Sequence, residues 1–127
     1  MSTLSVGTIQ SNTTSPPTIN NSAGTAIGTF CRAWVNFNGT GTVAIRASFN
    51  VTSITDNNTG DYTVNFTTAM PDANYAVAWS FGGTGGLLTG RTLDDTTART
   101  TLLVRVVTAN LSGTSTDGAQ VNITVFR

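Results

Sequence analysis

Lysine, glutamate and histidine are absent from these 127 residues, and the charge that remains, six arginines and six aspartates, makes up 9% of the chain. Each absence excludes chemistry. Without histidine there is no Ser-His-Asp triad, no Cys-His pair and none of the common zinc sites. Paired carboxylates for glycoside hydrolysis would have to be aspartates, and the only adjacent ones are Asp94 and Asp95. Strand neighbours face opposite ways, so this pair reads as a polar loop, the alternative being a loop in which both carboxylates share a cation such as calcium. Cys31 is the sole cysteine, which rules out an intrachain disulfide, and its apolar neighbours mark it as a small buried hydrophobe. No stretch approaches the roughly 20 apolar residues of a membrane-spanning helix, and the start MSTLSVGTIQ has neither a basic n-region nor a long apolar h-region. A soluble, leaderless product is expected. Net charge is zero, so nothing marks the chain for nucleic acid or for insertion into a membrane. Neither a cofactor nor an enzymatic activity is expected.

About a fifth of the chain is threonine, and most of the rest is asparagine, serine, glycine, alanine and valine. Hydroxyls and amides must therefore form the surface, where an ordinary domain carries about a quarter charged residues. Near-zero net charge gives little colloidal repulsion, a liability for a free monomer and acceptable for a subunit held in an assembly. No charged side chain precedes Arg32. Residues 1–28 read as an extended attachment and oligomerisation arm, with one short strand at its head from Leu4, Val6 and Ile9 and a break at Pro16 and Pro17. Fully extended, such an arm reaches roughly 90 Å.

From residue 29 the pattern changes to short β-branched and aromatic runs separated by glycine and asparagine clusters. Candidate strands are Thr29–Phe37, Thr42–Phe49, Val51–Thr55, Asp61–Thr67, Tyr75–Phe81, Leu87–Leu93, Thr100–Thr108 and Gln120–Phe126. Spacings near ten residues predict an all-β domain over 29–127, an antiparallel β-sandwich of about seven or eight strands, jelly-roll or lectin-like. Alternation places Tyr62, Val64 and Phe66 on one face, and Tyr75, Val77, Trp79 and Phe81 on another. The Thr100–Thr108 strand is apolar on both faces, which makes it central or part of an interface.

The glycine-rich GGTGG at 82–86 lacks the lysine and following helix of a phosphate loop and reads as a loop tip. Asn-x-Ser/Thr triplets such as Asn50-Val51-Thr52 follow from composition alone. Trp34, Trp79, Tyr62 and Tyr75 are the aromatics available to stack on sugar rings, with core packing the competing role; Trp79 and Tyr75 are kept as candidate glycan contacts. With no lysine, every cationic side chain is a planar donor fork. Arg105, with its apolar flanks, is the candidate interface arginine, an intrachain pair with aspartate being its alternative.

The run ASFNVTSITDNNTGDYTVNFTTAMPDANYAVAWS, residues 47–80, resembles a module of tail-fibre-like virion proteins of bacteriophages, including cyanophages. Leu4–Ser11, the proline-containing stretch and Cys31–Phe37 are similar to the attachment arm and the RAWVNFxGTGT segment of such proteins, so the resemblance covers about two thirds of the chain. It implies a virion structural protein assembled in the host cytoplasm, a short homotrimeric tail fibre or adhesin. The arm would dock on other virion proteins, and the β-domain would be available to the host surface, with a host cell-surface glycan as a further candidate partner. The resemblance implies no catalytic residues. The chain is short for a complete fibre, which keeps a capsid decoration (cement) protein open, and a carbohydrate-binding lectin-like module stands beside both.

Overall fold

The computed structural model describes residues 3–12, 17–83, 88–93 and 97–127. Pro16, the tip Thr84–Gly86 and the pair Asp94–Asp95 lie outside them. The chain divides into two units, Met1–Phe30 and Cys31–Arg127. Among the described residues there are ten strands, all in antiparallel sheets, and no helix.

In the first unit, β1 (Ile19–Asn20) and β2 (Ala26–Gly28) form a two-stranded hairpin. Asn21 builds its turn: Oδ1 accepts from the amides of Ala23 at 3.0 Å and Thr25 at 2.9 Å, and Gly24 takes φ 79°. The strand expected at Leu4–Ile9 is not there, since residues 3–12 contain no strand. The physical reason is pairing. A strand is held by a neighbour's ladder, and the Asn21 turn supplies one to Ile19–Asn20, whereas among the described residues Leu4–Ile9 has no ladder partner.

The second unit holds two four-stranded sheets. One has the order β4-β3-β10-β7, from β3 (Cys31–Asn38), β4 (Ala44–Phe49), β7 (Ala76–Gly82) and β10 (Gln120–Phe126). The other is β5-β6-β9-β8, from β5 (Val51–Asn58), β6 (Asp61–Phe66), β8 (Leu88–Thr92) and β9 (Leu103–Asn110). Inward-facing alternate residues of both sheets meet in one core: Val35, Phe37, Val121 and Ile123 from the first, Tyr62, Val64, Val104 and Val106 from the second. The rings of Phe37 and Tyr62 meet edge-on at 5.2 Å between centroids, a favoured aromatic geometry. The arrangement is sandwich-like, as period-two alternation predicts.

Two residues let the sheets close on each other. Asn50 alone separates β4 from β5, so the chain changes sheets there, and it does so at φ 55°. Its side chain fixes the corner: Nδ2 donates to the carbonyls of Arg32 at 3.0 Å and Thr68 at 3.1 Å, and Oδ1 accepts from Thr68 N at 2.7 Å. Opposite, Gly90 on β8 lies under the Phe81 ring of β7; a Cβ there would fall 2.3 Å from Phe81 Cε2.

β9 is flanked by β6 and β8, so the doubly apolar strand is a central one. Cys31 is half-buried, not buried. Tyr75 precedes β7, and its ring packs edge-on against Phe66 with 5.7 Å between centroids.

Candidate functional site

The outward faces of the two sheets differ. On β5-β6-β9 the face is a net of polar side chains. Asn65 Nδ2 donates to Ser53 Oγ at 3.1 Å and Thr55 Oγ1 at 3.0 Å. Beside it, Arg105 grips Asp61 through Nε at 2.7 Å and Nη2 at 2.5 Å. Arg105 is thus committed to an intrachain carboxylate, the alternative to its expected interface role. These hydrogen bonds from Arg105 hold the Asp61 carboxyl below its ordinary range against the opposing effect of partial burial. The Val107 side of this face, with Thr89, Arg91, Gly113 and Ser115, lines a hollow of about 220 Å³.

The outer face of β4-β3-β10-β7 is of another kind. Ala33, Val35 and Phe37 point into the core, so Trp34 and Asn36 between them point out. The register sets out two cross-strand rows. Phe49, Trp34, Thr124 and Ala78 lie opposite one another, and next to them lie Ala47, Asn36, Asn122 and Ser80. Trp34 is 39% exposed and Phe49 56%. The second row is a hydrogen-bonded ladder: Asn36 Nδ2 donates to Asn122 Oδ1, and Asn122 Nδ2 donates to Ser80 Oγ at 3.1 Å. A bulge in β4 inserts Arg46 between the residues opposite Asn36 and Phe37, and bulges re-aim the side chain they carry. Arg46 reaches across to Ala119, where Nη2 donates to the carbonyl at 2.7 Å. Asn36, Arg46, Gly82, Gly83, Ala119 and Gln120 line a hollow of about 430 Å³ beside the ladder.

The expected glycan contacts fall elsewhere. Tyr75 is 3% exposed, with its hydroxyl 2.7 Å from the Leu103 carbonyl and its ring 5.0 Å from the Arg99 guanidinium carbon. Burial takes it out of the glycan-contact set. Trp79 is 42% exposed but lies opposite Ile123, on the core side of edge strand β7. Leu4, Val6 and Ile9 are all exposed, and Pro17 is half-buried. Sequence reasoning weighed Trp34 singly and missed the ladder, because adjacency across strands depends on a register that no single segment encodes.

One further polar cluster joins turns to the core. The Tyr62 hydroxyl lies 2.9 Å from the Gly39 carbonyl and 2.8 Å from Asp117 Oδ1, and Asp117 also accepts from Gly60 N at 2.6 Å. Burial, and then the Asp117 carboxylate, push the Tyr62 phenol far above its ordinary value, so it stays protonated as a structural donor. Among the described residues no three His, Cys, Asp or Glu side chains gather where a metal ion would sit.

The chain matches no model of a known protein family, no curated protein and no solved structure.

Proposed function

We propose that the protein is a non-enzymatic virion subunit, a short homotrimeric tail fibre or adhesin whose residues 1–28 form an arm, folded back at its end by the β1-β2 hairpin and not extended throughout as its composition suggested, that anchors a jelly-roll or lectin-like β-domain. One observation carries this reading: the first unit leaves Leu4, Val6 and Ile9 exposed, the first of them by 80%, in a segment with no charged side chain. Burying such side chains stabilises an assembly by roughly 1.5–3 kcal/mol each, so three arms packed together have ample apolar surface to hold a trimer. The bacteriophage resemblance of residues 47–80 supplies the kind of particle.

Sedimentation and particle imaging test it. The intact chain is expected to sediment as a trimer. Removal of residues 1–28 should leave the β-domain folded, monomeric and absent from virions. A stable monomer for the intact chain, or incorporation of the truncated one, overturns the reading. A label on the C-terminus should appear at the tail; signal spread over the shell would favour the capsid decoration reading.

A further inference from the structure

We infer that the outer face of β4-β3-β10-β7 is a carbohydrate site, with Trp34 as stacking platform, the Asn36–Asn122–Ser80 ladder as hydrogen-bonding floor and the Arg46 hollow as its far end. The ligand class is a short pyranose glycan. A pyranose has one face of polarised C–H groups and a rim of hydroxyls. The first suits the electron-rich face of an exposed indole, and the second suits planar amides that offer donor and acceptor together.

The ladder is polarised in a way that serves such a rim. Asn36 and Asn122 each spend an amide proton along the row, and Asn122 Oδ1 and Ser80 Oγ accept. The row itself engages neither Asn36 Oδ1 at one end nor the Ser80 hydroxyl proton at the other, so one can serve a ligand as acceptor and the other as donor. Because each amide is held by its neighbour, little side-chain freedom is lost on binding. Small residues keep the ground beside the indole low, with Thr124 next to Trp34 and Ala78 beyond it. At the far end Gly82 and Gly83 bring no side chains to the hollow, and Arg46 and Gln120 bring donors.

Dimensions agree with a glycan. Residues two apart on a strand are about 7 Å apart, so the path from the Trp34 row past Asn36 to the Gln120 row is about 14 Å, room for about three sugar units. The hollow, about 430 Å³, lies in the range of small-ligand sites, roughly 300–1,000 Å³. The two rows cover only a few hundred Å², whereas a stable protein interface covers about 800 Å² per partner. That favours a sugar over a protein as occupant. The inference goes beyond the assembly reading, since a shell protein can carry this face as well as a fibre can. A titration on purified protein succeeds or fails regardless of where the chain sits on a particle.

The test is a glycan array of neutral and carboxylated oligosaccharides probed with the intact protein, followed by calorimetric titration of the best oligosaccharide. A dissociation constant below about 1 mM is expected. Trp34→Ala and Asn36→Ala should each weaken binding at least about tenfold, while Trp79→Ala should leave it unchanged. Gln120→Ala, at an exposed position and so safe for folding, should weaken it several-fold. In a Trp79→Phe chain, where Trp34 is the only indole, the sugar should shift its fluorescence. Absence of any glycan ligand, binding that survives both Trp34→Ala and Gln120→Ala, or an oligomer that dissociates on Trp34→Ala would each overturn the assignment.

Discussion

At single residues, backbone conformation and close contact separate positions that look alike in the sequence. Gly60 and Gly113 both have positive φ, 66° and 83°. A Cβ at Gly113 meets nothing within 4 Å, whereas at Gly60 it falls 2.4 Å from the Thr108 carbonyl oxygen. Gly113→Ala should therefore cost only the left-handed strain, about 1–2 kcal/mol. Gly60→Ala should cost several-fold more or prevent folding, as urea unfolding of the two variants will show. Asn50 divides the same way. Asn50→Gly keeps the corner's φ and loses three side-chain hydrogen bonds, about 0.5–1.5 kcal/mol each. Asn50→Ala adds the left-handed strain and should be the less stable by about 1–2 kcal/mol. Equal stabilities would show that the corner does not depend on φ. None of this was visible in the triplet Asn50-Val51-Thr52, because nothing local in it announces a change of sheet.

At the scale of elements, a single spacing runs through four of the described turns, of which those at Gly24 and Gly113 were not read from the sequence. Among the described residues every positive-φ glycine, Gly24, Gly41, Gly60 and Gly113, stands three residues after an asparagine: Asn21, Asn38, Asn57 and Asn110. In three cases the asparagine Oδ1 accepts from a main-chain amide of its own turn: from Thr25 at 2.9 Å, from Thr40 at 3.3 Å and from Thr114 at 2.9 Å. The side chain imitates a backbone turn, and the glycine supplies the φ that completes it. In the second unit strands were legible as existing but not in extent, whereas in the first the expected Leu4–Ile9 strand is not there and the β1-β2 hairpin was not read. β5 runs on to Asn58 because Asp56 and Asn58 find partners on β6, Tyr62 and Asp61. The pair across β6 and β9 gives a pH test. Arg105 lowers the Asp61 pKa in the folded state, so its stabilisation is complete above the unfolded value near 3.9 and fades as pH falls through the folded one. At neutral pH Asp61→Asn should cost about 0.5–1 kcal/mol for this partly exposed pair. The two chains should converge in stability as pH falls below the lowered folded value and Asp61 takes up its proton; a difference that stays constant as pH is lowered from neutral through the carboxylate range would remove the ion pair as its cause.

Across the whole molecule, composition foretold the surface better than the site. Hydroxyls and amides do cover the β5-β6-β9 side, where Asn65, Ser53 and Thr55 bond one another. Alternation also identified the core, since Tyr62, Val64 and Phe66 are all buried. The outer face of β4-β3-β10-β7 was not legible, because its cross-strand rows come from four strands spread between Trp34 and Thr124. The contact between the sheets depends on similarly distant residues. Gly90→Ala should cost at least about 1–3 kcal/mol by pushing on Phe81, and Phe81→Leu in the same chain should recover part of it; melting temperatures of the single and double variants check this.

The place of β10 also bears on how the molecule comes into being. It lies between β3 and β7 and brings Val121, Ile123 and Val125 to the core. While synthesis stands short of residue 120, that sheet has a vacant slot at its centre, and its two halves share no ladder. Folding must wait for a pairing that spans about ninety residues of chain, which makes it slow. A waiting chain exposes two strand edges to its neighbours on the ribosome, and the β10 of another copy can fill the slot first, exchanging strands between molecules that should have closed alone.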